Sequence, residues 1–139
     1  MQIPIHIVLL SPPPGIAYGV QNGSGAQYKT EQVQISEGKD LRFKFDIEIK
    51  GEKSETPRFS GPYVQGKQGE KFVYLDIGAF AGQEGGWSMR LKVQLKGITW
   101  DLIGQVKEKK YLETRVAGST KDGSPTCASV KPEPVYTCV

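Results

Sequence analysis

Few side chains in this chain belong to the types that make and break bonds. Its 139 residues hold one histidine, His6, and two cysteines, Cys127 and Cys138. His6 lies inside the apolar run "IPIHIVLL", where a packed strand residue is a stronger reading than a general base. A Ser-His-Asp or Cys-His arrangement would need that residue at its centre, and nothing around it supports one. Two cysteines and a histidine leave zinc without a fourth ligand, and their spacing matches no zinc pattern. The glycines of "GVQNGSGAQYKT" precede neither a Gly-Lys-Ser/Thr element nor a helical pattern, so they suit a hairpin turn and not a phosphate loop. No metal and no cofactor is expected. What remains is a carboxylate, Asp76, near the end of the apolar strand "FVYLDIG".

The role of Asp76 depends on strand register, because a one-residue slip exchanges every face of a strand. The segment "GPYVQGKQGEKFVYLDIG" reads as a hairpin turning at Gly66 to Gly69, and "AFAGQEGG" leads into the alternating strand "WSMRLKVQL". One register sets Asp76 opposite Met89 and buries a lone charge, at a cost of several kcal/mol. The other sets Asp76 opposite Arg90 and Tyr74 opposite Lys92, and gathers Val73, Leu75 and Ile77 with Met89, Leu91 and Val93 in one apolar layer. The second register satisfies every residue and is the expected one. Asp76 is then a cross-strand partner of Arg90, worth under ~1 kcal/mol if exposed. Its face would carry Phe59, Tyr63, Gln65, Phe72, Tyr74, Asp76, Arg90 and Lys92. Within the hairpin, Gln65 would face Glu70, Tyr63 would face Phe72, and Gly61 would face Tyr74.

The elements that must hold this face are mostly strands. "LRFKFDIEIK" alternates Leu41, Phe43, Phe45, Ile47 and Ile49 with charged residues, the pattern of a half-exposed antiparallel strand. "IPIHIVLL" is apolar on both faces and predicts a strand buried on both sides, with Pro4 near its start. "QYKTEQVQI" is polar and predicts an edge. A single helix is expected at about 99–109 in "GITWDLIGQVKEKK", with Thr99 as N-cap, Asp101 in the first turn and an Ile98/Ile103 staple. Seventeen Gly and nine Pro demand many turns. The expected fold is mainly β: an antiparallel bent sheet, sandwich or partly closed barrel, with connections of meander type. A small α+β fold is the alternative. Residues 1–118 form the single domain, and residues 119–139 read as loop and tail.

Composition bounds the partners. A net charge of +3, from 18 basic and 15 acidic side chains, is too mild to argue for nucleic acid by itself. The N-terminus lacks a basic region and a cleavage site, and no run approaches the ~20 apolar residues needed to span a bilayer. The chain therefore reads as cytoplasmic, without membrane contact, and its two tail cysteines as reduced thiols.

Read together and in order, "GPYVQG", "FVYLDIGAFAGQ", "GITWDLI" and "KDGSPTCASV" resemble a family of small bacterial proteins defined only as a domain of unknown function. The opening "IPIHIVLLSPPPGIAYGVQNGSG" and "DLRF" fit it as well, so the likeness runs from Ile3 to about Val130. None of these stretches is a catalytic signature. The resemblance implies a bacterial, cytoplasmic, single-domain protein and carries no activity or site residues.

Three classes of function fit these residues. A non-catalytic binding module for a small polar ligand or a partner protein comes first, on Tyr63, Gln65, Tyr74, Asp76, Arg90 and Lys92. An enzyme working by carboxylate and tyrosine acid–base chemistry comes second. Binding of single-stranded nucleic acid on the aromatic face comes last, since acids interrupt the basic residues.

Overall fold

The computed structural model describes residues 1–23, 28–67, 69–78, 87–95, 97–119 and 125–127; of residues 88–89, 107–109, 117–119 and 125–127 it describes the backbone alone. The turn at 24–27, the Gly-rich segment 79–86 and Cys138 lie outside the described residues, as do the side chains of Met89 and Cys127.

Strand β1 (Gln2–Leu10) is central in a five-stranded sheet. It pairs antiparallel with β4 (Leu41–Lys50) and parallel with β8 (Leu112–Ser119). Strand β5 (Arg58–Ser60) extends the sheet beyond β4, and β9 (Pro125–Cys127) extends it beyond β8. The second sheet holds β2 (Ala17–Asn22), β3 (Lys29–Ile35), β6 (Phe72–Gly78) and β7 (Trp87–Gln94) in the order β3-β2-β6-β7. Pro4 is tolerated in a central strand because the β8 pairing begins only at Ile5, so no ladder bond is lost to its missing N–H.

Alternation builds the core between the sheets. Ile3, Ile5, Ile7 and Leu9 of β1 and Phe43, Phe45, Ile47 and Ile49 of β4 meet Val73, Leu75, Ile77, Leu91 and Val93 of the second sheet, all buried. The result is a two-sheet sandwich, mainly β, as the sequence patterns predict. The meander expectation fails, because the chain returns to β1 from both β4 and β8. The parallel β1–β8 pair requires a crossover; the chain from β2 onward makes it, and helix α1 (Trp100–Lys109) is its last segment, between β7 and β8. Thr99 caps that helix, its Oγ1 accepting from the Leu102 N–H at 3.3 Å. Ile98, Ile103 and Val106 are buried in the core, and the Trp100 indole donates to the Glu55 carbonyl at 2.7 Å. Part of the expected tail is strand: Pro125–Cys127 pairs with β8.

The sheets stay open, and side-chain amides close one flank. Residues 41–47 of β4, which β5 does not pair, face β3. There Gln32 donates to the Lys44 carbonyl at 2.7 Å and accepts from the Lys44 N–H at 3.2 Å, while Gln34 donates to the Arg42 carbonyl at 2.9 Å. These amides stand in for a neighbouring strand and satisfy backbone groups that an edge would otherwise expose. Strand β3 is itself an edge, as its polar sequence predicts. No described helix is long and apolar enough to cross a membrane.

Candidate ligand-binding face

The pairing of β6 with β7 is the expected register. Asp76 lies opposite Arg90 and Tyr74 opposite Lys92, while Val73, Leu75 and Ile77 turn inward. Pairing of β2 with β6 sets Gly19 against Asp76, and pairing of β2 with β3 sets Gln21 against Thr30. Strand parity therefore brings Gln21, Thr30, Tyr74, Asp76, Arg90 and Lys92 onto one outer face.

Asp76 differs from its expected surface role. It is fully buried, whereas 43% of the Arg90 side chain is exposed. The Thr30 hydroxyl donates to its Oδ2 at 2.8 Å, the Gln21 amide reaches both oxygens at 3.4 and 3.5 Å, and Arg90 Nε stands 3.3 Å from Oδ1. Thr30 makes the strong bond, since contacts near 3.5 Å contribute little. Gln65 extends the network by donating to the Gln21 carbonyl oxygen. Alternation could not reveal this burial, because it comes from residues on β2 and β3, distant in sequence. Gly19 makes room for it. A Cβ there would stand 3.0 Å from the Glu31 carbonyl oxygen and closer still to the Thr30 methyl, displacing the side chain that holds Asp76.

Arg90 reaches across the face. Its guanidinium carbon lies 4.9 Å from the centre of the Tyr28 ring and 5.2 Å from that of Tyr74, within cation–π range. The Tyr28 side chain first, with Asp76 and Tyr74 after it, raises the Arg90 pKa against an opposing desolvation, so the charge is permanent. One step along β7, the Lys92 ammonium sits 4.4 Å from the centre of the Phe72 ring, and Phe72 packs tilted on Tyr74 with centroids 4.7 Å apart. Beside them, Gly69, Glu70, Phe72, Lys92 and Gln94 line a hollow of about 440 Å³.

Two of the expected aromatic residues stand elsewhere. Phe59 is buried in the core, because β5 pairs with β4, at Ile49, and not with β6. The hairpin register is also corrected. Gln65 faces Phe72, through backbone bonds of 2.8 and 3.0 Å, not Glu70. A tight turn at Gly61 to Val64 breaks the alternation upstream, so Tyr63 swings toward the core and its ring lies 5.1 Å from that of Phe45. The Tyr63 hydroxyl donates to Glu31 Oε2 at 2.8 Å, and the Asn22 amide donates to the same oxygen at 3.0 Å. These bonds lower the Glu31 pKa, Asn22 first, and the bond to Glu31 raises that of Tyr63. Of the six expected site residues, the structure links Gln65, Tyr74, Asp76 and Arg90 by contact and places Lys92 beside them. Tyr63 joins the separate Glu31 cluster.

Sequence reasoning also passed over a cluster on the outer face of the first sheet. Glu113, nearly buried, accepts from Arg42 Nη1 at 2.8 Å and from Arg115 Nε at 3.0 Å. Arg42 Nη1 also donates to His6 Nδ1 at 2.8 Å, and the His6 ring stacks on Tyr111 with centroids 3.8 Å apart. Accepting at Nδ1 fixes the neutral tautomer. Burial, and then Arg42 and Lys44, lower the His6 pKa. The cross-strand neighbours of His6, Lys44 and Glu113, were the available signal, hidden until the β1–β8 pairing is known. Among the described residues no group of histidine, cysteine and acidic side chains could hold a metal ion.

Neither a curated protein nor a solved structure matches the chain. A family model does, and it reaches past the resemblance that ended near Val130. Matched over residues 3–138, the chain belongs to DUF5990, a family of unknown function.

Proposed function

We propose that this protein is a non-catalytic binding module and that its ligand, a small polar molecule, lies on the outer face of the second sheet. One observation carries this reading. Arg90 is exposed yet held in place, by a buried carboxylate beneath it and two tyrosine rings beside it. A charged group fixed before the ligand arrives loses little side-chain entropy on binding. The hollow beside Lys92, at about 440 Å³, falls within the size range of small-molecule sites.

The same geometry weighs against the other two classes. Acid–base chemistry at Asp76 would need a substrate to reach a carboxylate that Thr30, Gln21 and Arg90 engage and that has no exposed surface. Nucleic-acid stacking would need open ring faces, and Tyr28, Tyr74 and Phe72 each already carry a cation.

A thermal-shift screen against polar metabolites tests the proposal. A ligand at 100 times its Kd adds about 2.7 kcal/mol of stability. The shift should vanish in Tyr74→Ala and Lys92→Gln proteins that retain the wild-type circular dichroism. Shifts that survive both substitutions would place the ligand elsewhere, and a screen without any shift would count against a small-molecule module.

A further inference from the structure

We infer that the ligand presents an oxyanion, a carboxylate or a phosphate, and that Arg90 is the residue that takes it; this inference rests on the binding reading above. The assignment follows from which parts of the guanidinium are committed. Nε faces Asp76 at 3.3 Å, and the rings of Tyr28 and Tyr74 lie against the guanidinium at 4.9 and 5.2 Å. The Tyr28 side chain also hydrogen-bonds Arg90, yet 43% of the Arg90 side chain stays exposed, so part of the fork faces outward. A planar fork of N–H donors, oriented by its neighbours, matches the paired oxygens of a carboxylate or phosphate.

Charge on the face points the same way. Asp76 is buried beneath Arg90 and offsets part of its charge, while Lys92, two residues along β7, is exposed and adds a second cation. A cationic ligand would meet both. An anionic group at Arg90 leaves Lys92 for a second oxygen and the adjoining hollow, with Gln94 and Glu70 in its wall, for the polar remainder. Replacing arginine by lysine keeps the charge but removes the fork and the flat surface that packs on the tyrosines, so the arrangement is specific to arginine.

The test titrates inorganic phosphate, pyrophosphate and succinate into the full chain at constant ionic strength, with backbone amide NMR as the readout. Saturable shifts at Tyr74, Arg90 and Lys92 from one of the three are expected. Phosphate and pyrophosphate acting without succinate would identify a phosphate ligand, and succinate acting alone a carboxylate. Arg90→Gln should weaken binding about tenfold or more, as loss of a charge-assisted bidentate pair does. Arg90→Lys should recover only part of it, and Tyr28→Leu should weaken binding with the charge intact. Equal affinity in wild-type and Arg90→Gln proteins, or no saturable shift with any oxyanion, would overturn the inference. An uncharged metabolite that shifts the same amides would overturn it too, while leaving the binding face standing.

Discussion

Asp76→Ala is the perturbation whose size the structure fixes best. It removes the acceptor of the Thr30 hydroxyl, both long contacts of the Gln21 amide and the partner of Arg90 Nε. The 2.8 Å Thr30 bond ends on a charged acceptor and is worth about 1.5–3 kcal/mol. The Gln21 contacts are long and add little, although Gln21 itself is buried. Arg90 regains hydration on its exposed side, so its share stays near that of a surface pair, under ~1 kcal/mol. The sum is about 3 kcal/mol, a large part of the roughly 5–15 kcal/mol that holds a domain together, and it lowers Tm by roughly 10 °C. Urea unfolding followed by tryptophan fluorescence measures it, with an unchanged denaturant slope as the check on two-state behaviour. Arg90→Ala should cost less, since it opens Asp76 to water while leaving the Thr30 bond. A loss below ~1 kcal/mol for Asp76→Ala would mean that the carboxylate is the exposed cross-strand partner the alternation alone implies, and would refute the buried anchor.

Three further outcomes follow from the same geometry. Gly19→Ala should destabilise the fold by about 1–3 kcal/mol in urea, as overpacking does, because the new methyl displaces the Thr30 side chain. The lowered His6 pKa means that the unfolded chain binds the proton more readily than the folded one. Its contribution to stability is therefore complete above pH ~6.5 and is lost as pH falls from there through the folded value. Unfolding curves between pH 7 and pH 5 should show that loss in the wild type and a smaller one in His6→Gln. Thr99→Ala should cost about 1 kcal/mol by removing the cap on Leu102, readable as a small drop in Tm.

Local periodicity sufficed wherever one strand faced one core. The alternation of Leu41 to Ile49, the Thr99 cap and the pairing of Asp76 with Arg90 follow from side-chain parity, because only one register keeps Val73, Leu75 and Ile77 inside. Legibility ended where contacts join distant segments. Nothing in "RFSGPYVQ" announces that Phe59 pairs across to Ile49, since the segment reads as one alternating strand although the turn at Gly61 to Val64 interrupts it. Burial of Asp76 depends on Thr30 and Gln21, which only the β2–β3 and β2–β6 pairings bring to it. The His6, Arg42 and Glu113 cluster needs the parallel β1–β8 pair, which no local signal encodes.

Backbone amide shifts measured while titrating the strongest stabiliser from the metabolite screen decide whether the ligand lies on the outer face of the second sheet. They should concentrate at residues 72–76 of β6 and 90–92 of β7, with Thr30 and Gln21 following as Arg90 is drawn to the ligand. Shifts concentrated instead around His6, Arg42 and Glu113 on the opposite sheet would contradict that placement.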